Sequence, residues 1–223
     1  MKKGLTEMVF ILDRSGSMAG LESDTIGGFN GMLSSQRNVE GEAVVTTVLF
    51  DDKYELLHDR IPLAGVAPIT SKQYYVRGCT ALLDAVGRTI QKIANVQENT
   101  AEEMRAEKVI FVITTDGLEN ASREYRYPQI RHMIQEKQEK FGWEFIFLGA
   151  NMDAVSEGAK MGIRADRAAT YTCDSKGVQE NYRAVETFMT QTRCCSAPMG
   201  AEWKKNIEED QKRRRKGRRF ELH

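Results

Sequence analysis

Asp13, Ser15 and Ser17 place one carboxylate and two hydroxyls at alternate positions directly after an uninterrupted apolar run, Met8 to Leu12. Oxygens at that spacing converge on one point only where the backbone curls, and Gly16 between the serines permits the curl. An all-oxygen set with a single negative charge suits a hard divalent cation such as Mg2+ or Mn2+, and disfavours zinc or copper. The apolar run reads as a buried strand, so the three side chains stand just past a strand end. Taken alone, Asp-x-Ser-x-Ser also describes an ordinary turn or helix cap.

Two further stretches end in the same way. In Arg77-Gly78-Cys79-Thr80-Ala81, Thr80 lies where an extended segment passes into a helix with Leu82, Leu83, Val86 and Ile90 on its apolar face. By itself Thr80 reads as a helix N-cap. Val109 to Thr115 is a β-branched apolar strand of the kind found in parallel sheets, and it ends at Asp116-Gly117. Asp-Gly alone signals only a turn. Three oxygen-bearing segments in matching topological positions favour one shared site.

Together, Asp13-x-Ser15-x-Ser17, Thr80 and Asp116 resemble the metal-ion-dependent adhesion site of the von Willebrand factor type A domain family. The resemblance covers roughly residues 5 to 190, and is strongest to compact bacterial and phage members with an "LDRSGSM" opening and a "TTDG" strand end. It implies that Ser15, Ser17 and Thr80 touch the cation through their hydroxyls, and that Asp13 and Asp116 hold waters around it or move onto it. The expected ion is Mg2+ or Mn2+, with Ca2+ a weaker fit. The implied function is a protein-binding module in which an Asp or Glu of a partner completes the coordination. A departure from the commonest pattern is Cys79 before Thr80, where a second glycine is frequent.

Catalysis is the less favoured class. No Gly-x-Ser-x-Gly elbow surrounds Ser15 or Ser17, and no Gly-x-x-x-x-Gly-Lys loop occurs. An aspartyl phosphatase would want a second aspartate at position 15. His58, His132 and His223 fall in an edge strand, a helix and the chain end, none placed as a general base. The alternatives kept open are a hydrolase or phosphoryl-transfer enzyme using the same cation, and an accessory subunit of a bacterial ATPase or stress-response complex.

These residues need a scaffold that brings strand ends together. Apolar runs alternate with helical periodicity along the chain. Strands are expected at Met8–Leu12, Ala43–Phe50, Tyr54–Ile61, up to Asp116, Trp143–Gly149 and Ala168–Thr172. Helices are expected at Leu21–Gln36, Ala81–Val96, Pro128–Lys140, Met152–Met161 and Lys176–Met189. Asp51-Asp52-Lys53 makes a hairpin turn. The pattern predicts an α/β fold: a doubly wound, mostly parallel sheet with one antiparallel edge strand and helices on both faces. Ligands of such sheets bind at the carboxyl ends of the strands. Around the site, Asp84 is one turn beyond Thr80 and reads as a bond acceptor beside the cation or a solvated cap. Asn151, with Asp153 after it, reads as an N-cap, and Glu119 and Asn120 as an exposed loop.

The 223 residues suffice for one α/β domain, expected over residues 1–192, with a C-terminal basic extension over 193–223. No apolar run approaches the roughly 20 residues of a membrane span, and Met1 to Glu7 shows no secretory pattern. Cys79, Cys173, Cys194 and Cys195 lack metal-ligand spacing, and free thiols in a cytoplasmic protein are the expectation. The formal charge of zero conceals a dipole. Lys204 to His223 holds nine Lys and Arg against four Asp and Glu, and the rest 23 against 28. That end is expected to be solvated and mobile, binding nucleic acid weakly and through salt-sensitive contacts at most.

Overall fold

The computed structural model describes residues 1–195 and 199–220, the last six by their backbone alone. His223 and Glu221 lie outside the described residues.

The first strand, β1, spans Lys2–Asp13 and is longer than its apolar run, because parallel neighbours on both sides bond its polar start as well. The other strands are β2 (Glu42–Phe50), β3 (Tyr54–Pro62), β4 (Ala106–Thr115), β5 (Glu144–Ala150) and β6 (Ala168–Tyr171). They form one sheet in the order β3-β2-β1-β4-β5-β6, with β3 alone antiparallel. This is the expected sheet. The strand order reverses between β1 and β4, which is where open α/β sheets leave a crevice at their carboxyl ends. Leu12 pairs with Thr114 across that junction, so Asp13 and Asp116 emerge side by side.

Among the described residues six α-helices cover the sheet: α1 (Glu22–Gln36), α2 (Leu82–Glu98), α3 (Tyr127–Phe141), α4 (Ala154–Lys160), α5 (Ser175–Cys194) and α6 (Lys205–Phe220). Successive strand residues point to opposite faces, so β1 serves two cores. Met8, Phe10 and Leu12 face α1, α5 and α6, where Phe10 meets Phe29 edge-on at 5.2 Å. Val9 and Ile11 face α2, α3 and α4, where Phe111 stacks between Phe145 and Trp143. α2 buries Leu82, Leu83, Val86, Ile90 and Ile93, the stripe its periodicity predicts.

α6 is the main difference from expectation. The end beginning at Lys204 folds onto the domain at least as far as Arg214. Met199, Trp203 and Ile207 are buried in the same core as α5, and Trp203 packs edge-on to Phe188 at 5.5 Å. The charged run hides only two apolar residues at helical spacing, Trp203 and Ile207, too few for periodicity to reveal. Among the described residues no helix is long and apolar enough to cross a membrane, and all four cysteines are unpaired.

Candidate metal centre

Asp13 ends β1 with its carboxylate buried at the sheet's reversal point. Its Oδ1 accepts the Ser15 amide at 2.6 Å and its Oδ2 accepts the Thr115 hydroxyl at 2.5 Å. Burial pushes the Asp13 carboxyl up to about 6, against the lowering effect of the Thr115 and Ser15 bonds. Asp116, half-buried, is raised as well, first by burial. Two desolvated carboxylates at one strand junction call for positive charge.

The hydroxyls complete a continuous chain of oxygens. Thr80 Oγ1 donates to Ser15 Oγ at 3.1 Å, Ser15 Oγ and Ser17 Oγ are 2.9 Å apart, and Ser17 donates to Asp116. All five residues singled out in the sequence are thus brought together. Ser15, Thr80 and Asp13 are buried and Ser17 is exposed, so the cluster opens to solvent on one side.

Backbone contacts hold the three segments in place. Arg77 N donates to Arg14 O at 2.9 Å and Gly16 N to Gly78 O at 3.2 Å, tying the serine loop to the Thr80 loop. Gly78 has φ +68, and a Cβ there would lie 2.3 Å from Asp52 Oδ1, so this turn requires glycine. Beneath the two loops, the fully buried Arg14 donates through Nε to Asp51 Oδ2 at 3.0 Å, and Arg77 Nε donates to the same oxygen at 2.6 Å. Burial by itself would raise Asp51. The hydrogen bonds from Arg77 and the Lys53 amide, with the charges of Arg14 and Arg77, overcome that and hold it below the usual carboxylate range. Tyr74, fully buried, donates to Asp13 O at 2.6 Å. Neither Tyr74 nor Asp51 carried a sequence signal beyond an apolar ring in a loop and a hairpin aspartate.

The loop after Asp116 is more ordered than an exposed loop. Asn120 Oδ1 accepts Thr80 N at 3.0 Å while Asn120 N donates to Thr80 O at 3.1 Å. Glu119 accepts the amides of Leu83, Ala121 and Ser122 within 3.0 Å. Asp84 neither reaches the cluster nor stays solvated. Its buried carboxylate accepts the amides of Arg123, Glu124 and Tyr125 at 2.8 to 2.9 Å, pinning this loop to α2. Asn151 is not an N-cap: that role belongs to Asp153, which accepts Ser156 N at 3.0 Å. Asn151 sits in the left-handed region at φ 52 and accepts Cys173 N at 3.3 Å.

Cys79 is exposed, and the thiol that touches the cluster is Cys173, donating to Asp116 Oδ2 at 3.5 Å. Burial first, then the Asp116 charge, pushes the Cys173 thiol up to about 12. No sequence spacing links Cys173 to Asp116, since β6 reaches the site only through sheet order.

The donor set fits a hard divalent cation: three hydroxyls and two carboxylates, all oxygen. A second feature agrees. A Cβ on Gly117 would stand 2.6 Å from Thr80 Oγ1 and 3.1 Å from Ser17 Oγ, so glycine keeps that side of the cluster open. Among the described residues no group of three or more His, Cys, Asp or Glu side chains assembles into a metal cluster. His58 is bonded to Thr47 at 3.0 Å and His132 lies exposed on α3, so neither is a hydrogen-bond partner of the site.

No family model matches the sequence, and no curated protein matches it. Solved structures do. Proximal thread matrix protein 1 from the mussel byssus, in a form with a zinc-occupied MIDAS motif, is 16% identical with a TM-score of 0.56, over 84% of this chain and 46% of that one. The von Willebrand factor type A protein from Catenulispora acidiphila is 15% identical with a TM-score of 0.56, over 83% and 42%. The manganese-loaded Plasmodium vivax TRAP protein is 14% identical with a TM-score of 0.54, over 80% and 73%. The chain spans less than half the length of the first two. At these identities the likeness establishes the fold, which is that of von Willebrand factor type A domains.

Proposed function

We propose that this chain, a von Willebrand factor type A fold, is a divalent-metal-dependent protein-binding module. The observation that carries the reading is the unbroken chain of donors from Thr80 through Ser15 and Ser17 to Asp116 at the sheet's reversal point. Ser15, Ser17 and Thr80 would hold Mg2+ or Mn2+ through their hydroxyls, with Asp13 and Asp116 balancing its charge. A cation held so would supply a Lewis-acidic position for a carboxylate of a partner protein. The metal-loaded mussel and Plasmodium structures support a divalent ion on this fold. Asp13 orients Ser15 by accepting its amide, and the Asp51 pairings with Arg14 and Arg77 keep the two hydroxyl-bearing loops at fixed separation. Ser17, exposed at the rim, is where an incoming group meets the site first.

Thermal melting against Mg2+ and Mn2+ concentration tests the reading. An ion that binds only the folded state adds about 2.7 kcal/mol at a hundredfold excess over Kd, a rise of roughly 5 °C or more for a chain of this size. Wild type is expected to show the rise and to lose it with chelator. Asp13→Ala and the milder Ser15→Ala and Ser17→Ala are expected to melt independently of either ion. Identical responses in wild type and all three variants would remove the site. Partner binding is expected to vanish with chelator and in Thr80→Ala, and binding that persists would move the interface elsewhere.

A further inference from the structure

At the amino ends of the strands, opposite the donor cluster, α3 stops at Gly142, which lies in the left-handed region at φ 64. Gly142 N donates to Gln138 O at 3.1 Å and Trp143 N to Lys137 O at 3.2 Å. This turn folds Trp143 back beside Phe141, the last residue of the helix, with ring centroids 6.5 Å apart. Lys137 lies one turn before Phe141 and holds its ammonium over both rings, 4.9 Å from the Phe141 centroid and 5.8 Å from that of Trp143. The two rings and the last turn of α2 bound a cleft of about 290 Å³, which Ala94, Ala106 and Val109 also line. That volume is near the lower end for small-molecule sites. Ala106 begins β4 and Thr115, which bonds Asp13, ends it, so the cleft and the donor cluster are a strand length apart, roughly 30 Å.

The cleft's inner polar groups are donors short of acceptors. Lys137 is 8% exposed, and its ammonium carries three donors. Among the described residues its one ion-pair partner is Glu98 Oε1 at 3.7 Å, beyond hydrogen-bond distance and on a side chain 62% exposed. Trp143 is buried, and no described residue accepts its indole N–H. Other polar groups of the wall are engaged: Arg105 with Thr100 O and Glu98 O, Gln97 with Glu7, and Lys140 with Glu136. Glu98, Glu102 and Glu107 are exposed, where solvent and salt screen them. A buried ammonium left short of acceptors costs free energy that a ligand oxygen recovers.

We infer that this cleft binds a small aromatic carboxylate, its ring against Phe141 and Trp143 and its carboxylate on the Lys137 ammonium. Lys137 selects the sign of the ligand. A cationic ligand would set a second positive charge beside one already held against the rings. A neutral ring would leave the ammonium's donors unmet. Bare acetate or phosphate gains the ion pair but not the apolar wall, where the ring covers a Phe141 that is 53% exposed. The site needs neither the cation nor a partner protein, so it stands or falls apart from the metal-binding reading.

Proton–nitrogen correlation spectra of the full chain provide the test, because Trp143 and Trp203 are its only tryptophans and give two indole resonances. Trp143→Phe identifies which is which. Phenylacetate is expected to shift the Trp143 resonance and leave that of Trp203 in place, saturating at about millimolar concentration for a ligand of its size. Lys137→Met keeps the reach of the side chain and removes its charge, and is expected to bind phenylacetate about tenfold more weakly. Phe141→Ala changes an exposed ring, so it keeps the fold if Lys137→Met does not, and it is expected to weaken binding several-fold. Phenylethanol and phenethylamine keep the ring and replace the carboxylate by a hydroxyl or an ammonium. Both are expected to bind wild type about tenfold more weakly than phenylacetate. A Trp143 resonance that phenylacetate leaves unmoved overturns the inference. So does phenylethanol or phenethylamine binding as tightly as phenylacetate, or a folded Lys137→Met protein with unchanged affinity.

Discussion

Gly117 shows how narrow the tolerances of the donor cluster are at the residue scale. It follows Asp116 in what reads as a plain turn, yet its missing side chain is what keeps Thr80 and Ser17 apart from the loop. In Gly117→Ala the new methyl meets two hydroxyl oxygens that have no flexible far end, so the cluster must distort. The expected outcome is a loss of Mn2+ affinity of tenfold or more, about 1.4 kcal/mol, with an unfolding midpoint within about 1 kcal/mol of wild type. Calorimetry and urea unfolding on the same sample check both halves. Asp51 illustrates the opposite case. It touches no proposed ligand, but its carboxylate fixes the two arginines that flank the ligand loops.

At the scale of elements, the amino end of α2 and the loop from Asp116 to Arg126 behave as one unit. Asp84, Glu119 and Asn120 exchange bonds with backbone amides across them, and Glu119 thereby satisfies Leu83 N, a helix-start donor that would otherwise need a cap. Asp84 alone serves three amides, so Asp84→Ala is expected to lower stability by about 2 to 3 kcal/mol. It should also weaken Mn2+ binding several-fold, because Thr80 is held by Asn120 of the same loop. A midpoint shift below about 0.5 kcal/mol in urea would show that water replaces the carboxylate without loss. The late start of α4 has a local cause: Asp153 caps it, two residues beyond the Asn151 read as its cap.

Across the whole molecule, one sheet serves two cores, and the C-terminal helix belongs to one of them. Trp203 is buried against Phe188, and its indole N–H donates to Asp166 O at 2.9 Å. Trp203→Ala is expected to destabilise the domain by about 3 to 5 kcal/mol and to release α6 from the β6 edge. Thermal unfolding measures the first effect, and proteolytic cleavage between residues 195 and 205 the second. A Trp203→Ala protein as stable as wild type would return the whole end to the solvated state that its charge suggests.

The chain's pattern by itself determined the alternation of strands and helices, the antiparallel edge and the oxygen-bearing strand ends. Each of these depends on residues adjacent in sequence: apolar runs, helical stripes at Ile26 to Leu33 and Leu82 to Ile90, and a hairpin at Asp51-Asp52. Asp13, Ser15 and Ser17 were legible because their spacing is local, and Thr80 and Asp116 because each ends an element of its own. Only the tertiary structure decided what lies between those pieces. Cys173 meets Asp116 across 57 positions, Tyr74 meets Asp13 across 61, and Arg14 shares Asp51 with Arg77. Asp84 turned to the backbone of a neighbouring loop, and a helix of mean charge far from neutral was folded down by Trp203 and Ile207. Such contacts follow from sheet order and from the desolvation of groups brought together at the strand ends. Neither leaves a periodic trace along the chain.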